Sequence, residues 1–129
     1  MSQLHALIID DNIKNLNILA RLLSKEGVAS IKVQDPNLLD CVLQDIPEVG
    51  VVFLDLELPG EDGYRVFDRL KADARFQAVP VVAYTVHLGE IMAAHHRGFQ
   101  GFLGKPLDVD KFPHQLQRIL HGEPVWETS

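Results

Sequence analysis

Short apolar runs alternate along this chain with longer segments of helical period, and no other feature narrows its folding choices as much. The runs at 6–9, 31–33, 49–54, 81–84 and 101–103 are built mostly from valine, isoleucine, leucine and phenylalanine, and read as buried strands. Between the first two, Leu16, Leu19, Ala20 and Leu23 fall at i, i+3, i+4 and i+7, and Gly27 stands where a helix stops. Asp35 and Pro36 pair an N-cap with a proline at the first helical position, opening a helix to about residue 44. A third helix, from 63 to about 74, turns Val66, Phe67 and Leu70 inward. The fourth, 88–97, is closed by Gly98, and Asp108 caps a fifth that carries Phe112, Gln115, Leu116, Ile119 and Leu120. Strands apolar on both faces need helices on both sides. The pattern therefore predicts a doubly wound α/β fold, a five-stranded parallel sheet with five helices and right-handed crossovers.

Composition agrees with one domain. The chain has 129 residues, 47% hydrophobic and 23% charged, enough apolar material for a core and too much for a disordered segment. One domain over residues 1–122 is expected, with a short tail, 123–129, that is polar apart from Val125 and Trp126. Whether Trp126 packs back is left open by the pattern. The net charge of −6 argues against a nucleic-acid surface, which needs a basic face. The single cysteine, Cys41, excludes an internal disulfide; among Leu38, Leu39, Val42 and Leu43 it is expected to pack inside a helix. No apolar run approaches the roughly 18 residues of a membrane span, and no signal peptide is evident, so a cytoplasmic protein without a membrane partner is expected.

In open parallel sheets, ligands bind at the carboxyl ends of the strands. Here the first strand ends in Asp10-Asp11, the third in Asp55, the fourth in Thr85, and the fifth runs on to Lys105-Pro106. Three neighbouring carboxylates repel one another unless a cation is present, and hard oxygen donors favour Mg²⁺. Lys105 brings a positive charge to face it. A phosphoryl group on Asp55 would then lie between Mg²⁺, Lys105 and the Thr85 hydroxyl, which is the charge neutralisation and alignment that phosphoryl transfer requires. Singly, each aspartate reads as a helix cap, Thr85 as a β-branched strand residue and Lys105 as a solvated lysine. Their chemistry rests on meeting at one edge.

Four stretches together resemble the receiver domain of bacterial two-component response regulators, of the single-domain or phosphorelay type. They are Ile8-Ile9-Asp10-Asp11-Asn12, Phe53-Leu54-Asp55-Leu56-Glu57-Leu58-Pro59-Gly60-Glu61-Asp62-Gly63, the run from Pro80 to Thr85, and Phe102-Leu103-Gly104-Lys105-Pro106. The resemblance extends over 4–121, and Asn12 and Asn15 look like receivers that work with hybrid kinases. It implies a flavodoxin-like, CheY-like sheet of order 2-1-3-4-5, with Asp55 as phosphoacceptor. Asp11, Asp55 and the Glu57 backbone carbonyl would ligate Mg²⁺, with Asp10 acting largely through water. Lys105 would pair with the acceptor or the phosphoryl group, Thr85 and Phe102 would form the switch pair, and the Lys105–Pro106 bond would be cis. Such a chain is a signalling switch rather than an enzyme with a separate substrate.

The same resemblance implies partners. A sensor or hybrid histidine kinase, or a histidine phosphotransfer protein, would dock on the first helix through Lys14, Asn15, Asn17 and Ile18, and on Leu107. A downstream protein would read the surface formed by the fourth helix, fifth strand and fifth helix, which includes His95 and His96. Three residues depart from the pattern. Val86 stands where a small residue is usual and would narrow access to the site. Tyr84 replaces an aliphatic residue. His87 reads equally as a tuner of dephosphorylation and as a loop histidine. A degenerate receiver, acting as a phosphorylation-independent interaction module, is disfavoured by the intact Asp11, Asp55, Thr85 and Lys105. A haloacid-dehalogenase-like phosphatase would carry Asp-x-Asp, which Asp55-Leu56-Glu57 only imitates. A flavodoxin-type carrier would not place Asp10-Asp11-Asn12 against a phosphate.

Overall fold

In the computed structural model, which describes residues 4–58 and 60–127, one mixed α/β layer structure accounts for all the apolar periodicity. Pro59, within the motif after Asp55, and the two ends of the chain lie outside the described residues. The main sheet holds β1 (His5–Ile9), β2 (Ala29–Val33), β3 (Val49–Leu54), β4 (Val81–Thr85), β5 (Gly101–Gly104) and β6 (Val125–Glu127). Every pairing in it is parallel, in the order β2-β1-β3-β4-β5-β6. The helices are α1 (Ile13–Lys25), α2 (Leu39–Gln44), α3 (Gly63–Lys71), α4 (Ile91–Arg97) and α5 (Phe112–Leu120).

Successive strand side chains point to opposite faces, and this sorts the core into two layers. Ala6, Ile8, Val51, Phe53, Val82 and Tyr84 meet Leu16, Leu19 and Leu23 of α1 and Phe112, Leu116 and Ile119 of α5. Leu7, Ile9, Val52, Leu54, Val81 and Ala83 meet Leu39 and Leu43 of α2, Val66, Phe67 and Leu70 of α3, and Ala94 of α4. The doubly wound prediction is therefore met in order and in layering.

The expected helix signals act locally. Asn12 accepts hydrogen bonds from the Lys14 and Asn15 amides to start α1, and Gly27 follows its C-cap with φ +78°. Gly98 closes α4 with φ +101°. Helices two and four are shorter than their patterns, because 3₁₀ turns at Pro36–Leu38 and Leu88–Glu90 take up their first residues. Helix three stops at Lys71, and Asp73 caps a separate turn, Ala74–Phe76, through the Arg75 amide. Asp108 caps the turn that leads into α5, accepting from the Asp110 and Lys111 amides.

Two expectations need correction. The sheet has six strands, not five: the tail's Val125 and Trp126 pair with Gly101 and Phe102. Val125 joins the α1/α5 layer and Trp126 packs against the other, so two apolar residues suffice to cover the open edge of β5. Cys41 is exposed. In α2 the buried positions are Leu39 and Leu43, and a residue midway between them sits about 200° around the helix, facing solvent.

Candidate functional site

Sheet hydrogen bonding continues one residue past the strands, and this is what brings the site residues together. The Asp10 amide donates to the Val33 carbonyl (3.1 Å), the Asp55 amide to Ile9 (2.9 Å) and the Lys105 amide to Thr85 (2.9 Å). Gly63 lets α3 begin directly against the loop after Asp55: a Cβ there would lie 2.6 Å from the Leu56 Cα. Asp10, Asp55 and Thr85 are buried, while Asp11 lies at the surface.

Lys105 ties the buried carboxylates together. Its ammonium donates to Asp10 Oδ2 at 2.8 Å and to Asp55 Oδ2 at 3.2 Å, with only 9% of the side chain exposed. Its peptide bond to Pro106 is cis. Asp55 Oδ1 accepts the Glu57 amide at 3.0 Å, and Asp10 Oδ1 accepts the Asn12 amide at 2.9 Å. Carboxylate oxygens of Asp10, Asp11 and Asp55 all lie within 4.8 Å of one another. Thr85 ends β4 beside them, its hydroxyl accepting the His87 amide at 3.2 Å. Phe102 is wholly buried on the neighbouring strand.

The two buried acids titrate in opposite directions. Burial pushes the Asp55 carboxyl up to about 6, and the Asp10 charge adds to this against the Glu57 amide and Lys105. Burial acts on Asp10 too, but Lys105, the Tyr84 hydroxyl and the Asn12 amide outweigh it and hold that carboxyl below its ordinary value. Three carboxylates facing one ammonium leave an excess of negative charge among hard oxygen donors, so the donor set fits a divalent cation such as Mg²⁺.

The departing residues behave differently from one another. Val86 is 62% exposed at the rim. His87 pairs through Nε2 with Glu57 Oε2 at 2.7 Å, both side chains about half exposed, so a bridge spans the mouth of the site. Tyr84 was legible only as an odd aromatic in an aliphatic strand, yet its hydroxyl donates to Asp10 Oδ2 at 2.6 Å. Burial, then Asp10, raises its pKa and keeps that hydroxyl protonated. The available signal was chemical: a tyrosine inside a strand of valine and alanine needs a partner for its hydroxyl. His95 is exposed on α4 and rests against the Trp126 ring, 4.7 Å between centroids.

The family model for the response regulator receiver domain matches residues 6–117. The chain belongs to the response regulator receiver family. This receiver is 35% identical over 73 residues to response regulator Rre1 of Synechocystis sp., covering 55% of this chain and 32% of that protein. It is 31% identical over 105 residues to response regulator PleD of Caulobacter vibrioides, covering 79% of this chain and 23% of that one. The chain thus spans about a third or less of these relatives. Its fold matches the chemotaxis response regulator CheY4 of Vibrio cholerae with a TM-score of 0.80 at 18% identity, covering 92% of this chain and 99% of that one. The receiver family is one of two-component signalling switches rather than classical enzymes. Among the described residues, no helix of this receiver is long and apolar enough to cross a membrane.

Proposed function

We propose that this receiver is switched by phosphorylation of Asp55 from a histidine-kinase or phosphorelay partner. The observation that carries the reading is Lys105, whose ammonium bridges the buried Asp10 and Asp55 carboxylates beside Thr85. Asp10, Asp11 and Asp55, with the Glu57 backbone carbonyl, would hold Mg²⁺, which when bound neutralises phosphoryl oxygens and aligns the donor. An Asp55 carboxylate oxygen attacks phosphorus as the donor's phosphorus–nitrogen bond breaks. The electron pair of that bond leaves with the imidazole. Lys105 then shifts its ammonium from the Asp55 carboxylate to the new phosphoryl oxygens. The Thr85 hydroxyl, which now accepts the His87 amide, turns to donate to one of them. Phe102 follows into the space that Thr85 vacates, and the surface of α4, β5 and α5 changes for a partner protein to read.

Residues 1–122 form the switching unit in this reading, and its compartment is the cytoplasm. Kinase or phosphotransfer partners dock over Ile18, which is 52% exposed, and its neighbours Lys14, Asn15 and Asn17, together with Leu107. The test is intact mass after incubation with Mg²⁺ and a small phosphodonor, or with a panel of histidine kinases and phosphotransfer proteins. A phosphate-sized gain that disappears in Asp55→Asn is expected. No gain from any donor would leave a constitutive interaction module and remove the switch.

A further inference from the structure

We propose that Tyr84 is a positioning residue whose hydroxyl occupies Asp10 Oδ2 and thereby weakens the hold of the carboxylate cluster on a divalent cation. The inference rests on the reading that this cluster is a cation site. Its basis is the geometry around one buried carboxylate. The Asp10 side chain has no exposure, so no bulk water serves its oxygens. Three donors do so instead: the Asn12 amide on Oδ1, and the Tyr84 hydroxyl (2.6 Å) and Lys105 ammonium (2.8 Å) together on Oδ2.

Tyr84 is held in place for this task. Its ring meets Phe53 edge-on, with centroids 6.3 Å apart and planes at 80°. Phe53 in turn meets Phe112 of α5 at 6.2 Å. The Lys105 ammonium lies over the same ring, 4.2 Å from its centroid. The hydroxyl is therefore aimed by core packing through Phe53 and Phe112 together with the Lys105 ammonium. An aliphatic side chain at this position offers Asp10 no donor.

A neutral donor drains charge from a carboxylate and competes with a cation for its lone pairs. Removing only the hydroxyl leaves a buried oxygen under-served, which destabilises the empty site, and leaves more charge for a cation to neutralise. Phenylalanine makes that cut and keeps the edge-on ring contact with Phe53.

The experiment is isothermal titration of the full chain with Mg²⁺ alone, plus thermal unfolding with and without saturating Mg²⁺. Wild type, Tyr84→Phe and Asp11→Asn are compared. Tyr84→Phe is expected to bind Mg²⁺ about three- to tenfold more tightly than wild type. It should unfold at a lower temperature without the ion and recover most of that loss with it. A merely structural role predicts an unchanged Kd and the same loss of Tm in both conditions. That result, or weaker binding, overturns the role of Tyr84 while wild-type binding, abolished in Asp11→Asn, keeps the cation site. Absence of Mg²⁺ binding by wild type, or undiminished binding by Asp11→Asn, overturns the cation site and the Tyr84 inference with it.

Discussion

The rim around Asp55 and the outer edge at β5–β6 belong to one parallel sheet, yet they are held in different ways. At the rim, charged side chains are buried, and backbone bonds from Asp10, Asp55 and Lys105 extend the strand ladders under them. At the edge, three residues pair with β5, and the polar contacts from Arg118 to Glu127 and Glu123 are 3.5 and 3.6 Å long and open to solvent. Exposed pairs of that kind contribute little. The Trp126–His95 contact adds to them on a half-buried surface. Parallel pairing alone therefore does not describe how a region is held. What differs is which segments supply the contacts: the rim draws on the ends of β1, β3, β4 and β5, whereas these edge contacts come from α4, α5 and β5.

The largest break in that contrast should come from Gly63→Ala. The added Cβ meets three backbone atoms of one segment, at 2.6 Å from Leu56 Cα, 2.8 Å from Leu56 O and 3.0 Å from Asp55 O. Backbone cannot rotate away as a side chain can, so either α3 or the loop after Asp55 must move. A loss of about 3 kcal/mol in urea unfolding is expected, with reduced phosphoryl uptake at Asp55. A loss below about 0.5 kcal/mol would mean that the rim yields as easily as the edge.

Next in size is a pH effect confined to the rim. Asp55 titrates near 6 when folded, against an ordinary 3.8. Between those values the folded chain binds more protons than the unfolded one, so without metal its stability falls as pH rises through that window. Asp10 works the other way, and its contribution is lost only as pH falls below the ordinary carboxylate value. Asparagine has no charge to desolvate. Without metal, Asp55→Asn should therefore gain on wild type by about 2 kcal/mol between pH 4 and 7. Saturating Mg²⁺, which needs the ionised carboxylate, should reverse the order. Parallel denaturation curves at both pH values would show that burial does not govern Asp55.

The same contrast explains what the sequence made visible. Continuous apolar runs and period-3.6 apolar patterns report burial directly, so five strands, five helices and the strand ends bearing Asp10, Asp11, Asp55, Thr85 and Lys105 were legible. β6 was not, because two apolar residues in a polar tail carry no period. The burial pattern around Cys41 misled, because Leu38, 53% exposed, looked like a core position. The Tyr84–Asp10 bond joins residues 74 apart. No local pattern encodes such a pairing, though an isolated tyrosine in an aliphatic strand invites the search.

Smaller effects sharpen the edge side. Trp126→Ala and His95→Ala should each destabilise modestly, by about 1 kcal/mol, and their double-mutant cycle should show coupling of about 0.5 kcal/mol. Additive effects would mean that the rings lie together without holding the strand. Phosphoryl uptake at Asp55 should be unchanged in both.

The finest test is Gly101→Ala, since this residue sits where the two regions touch. A Cβ there lies 3.1 Å from the Val125 carbonyl oxygen on one side and 3.3 Å from Val82 Cγ2 on the other. Val82 is fixed in the core of β4, so the neighbour that gives way is β6. A shift of a few tenths of an ångström suffices, and the three-residue strand absorbs it at a cost below about 1 kcal/mol. Its signature is local: Trp126, the single tryptophan, should shift its emission towards the red as its contact with His95 loosens. Mg²⁺ binding at the rim should stay at the wild-type value. If Gly101→Ala instead costs as much as Gly63→Ala, the strain has passed through Val82 into β4, and edge and rim unfold as one unit.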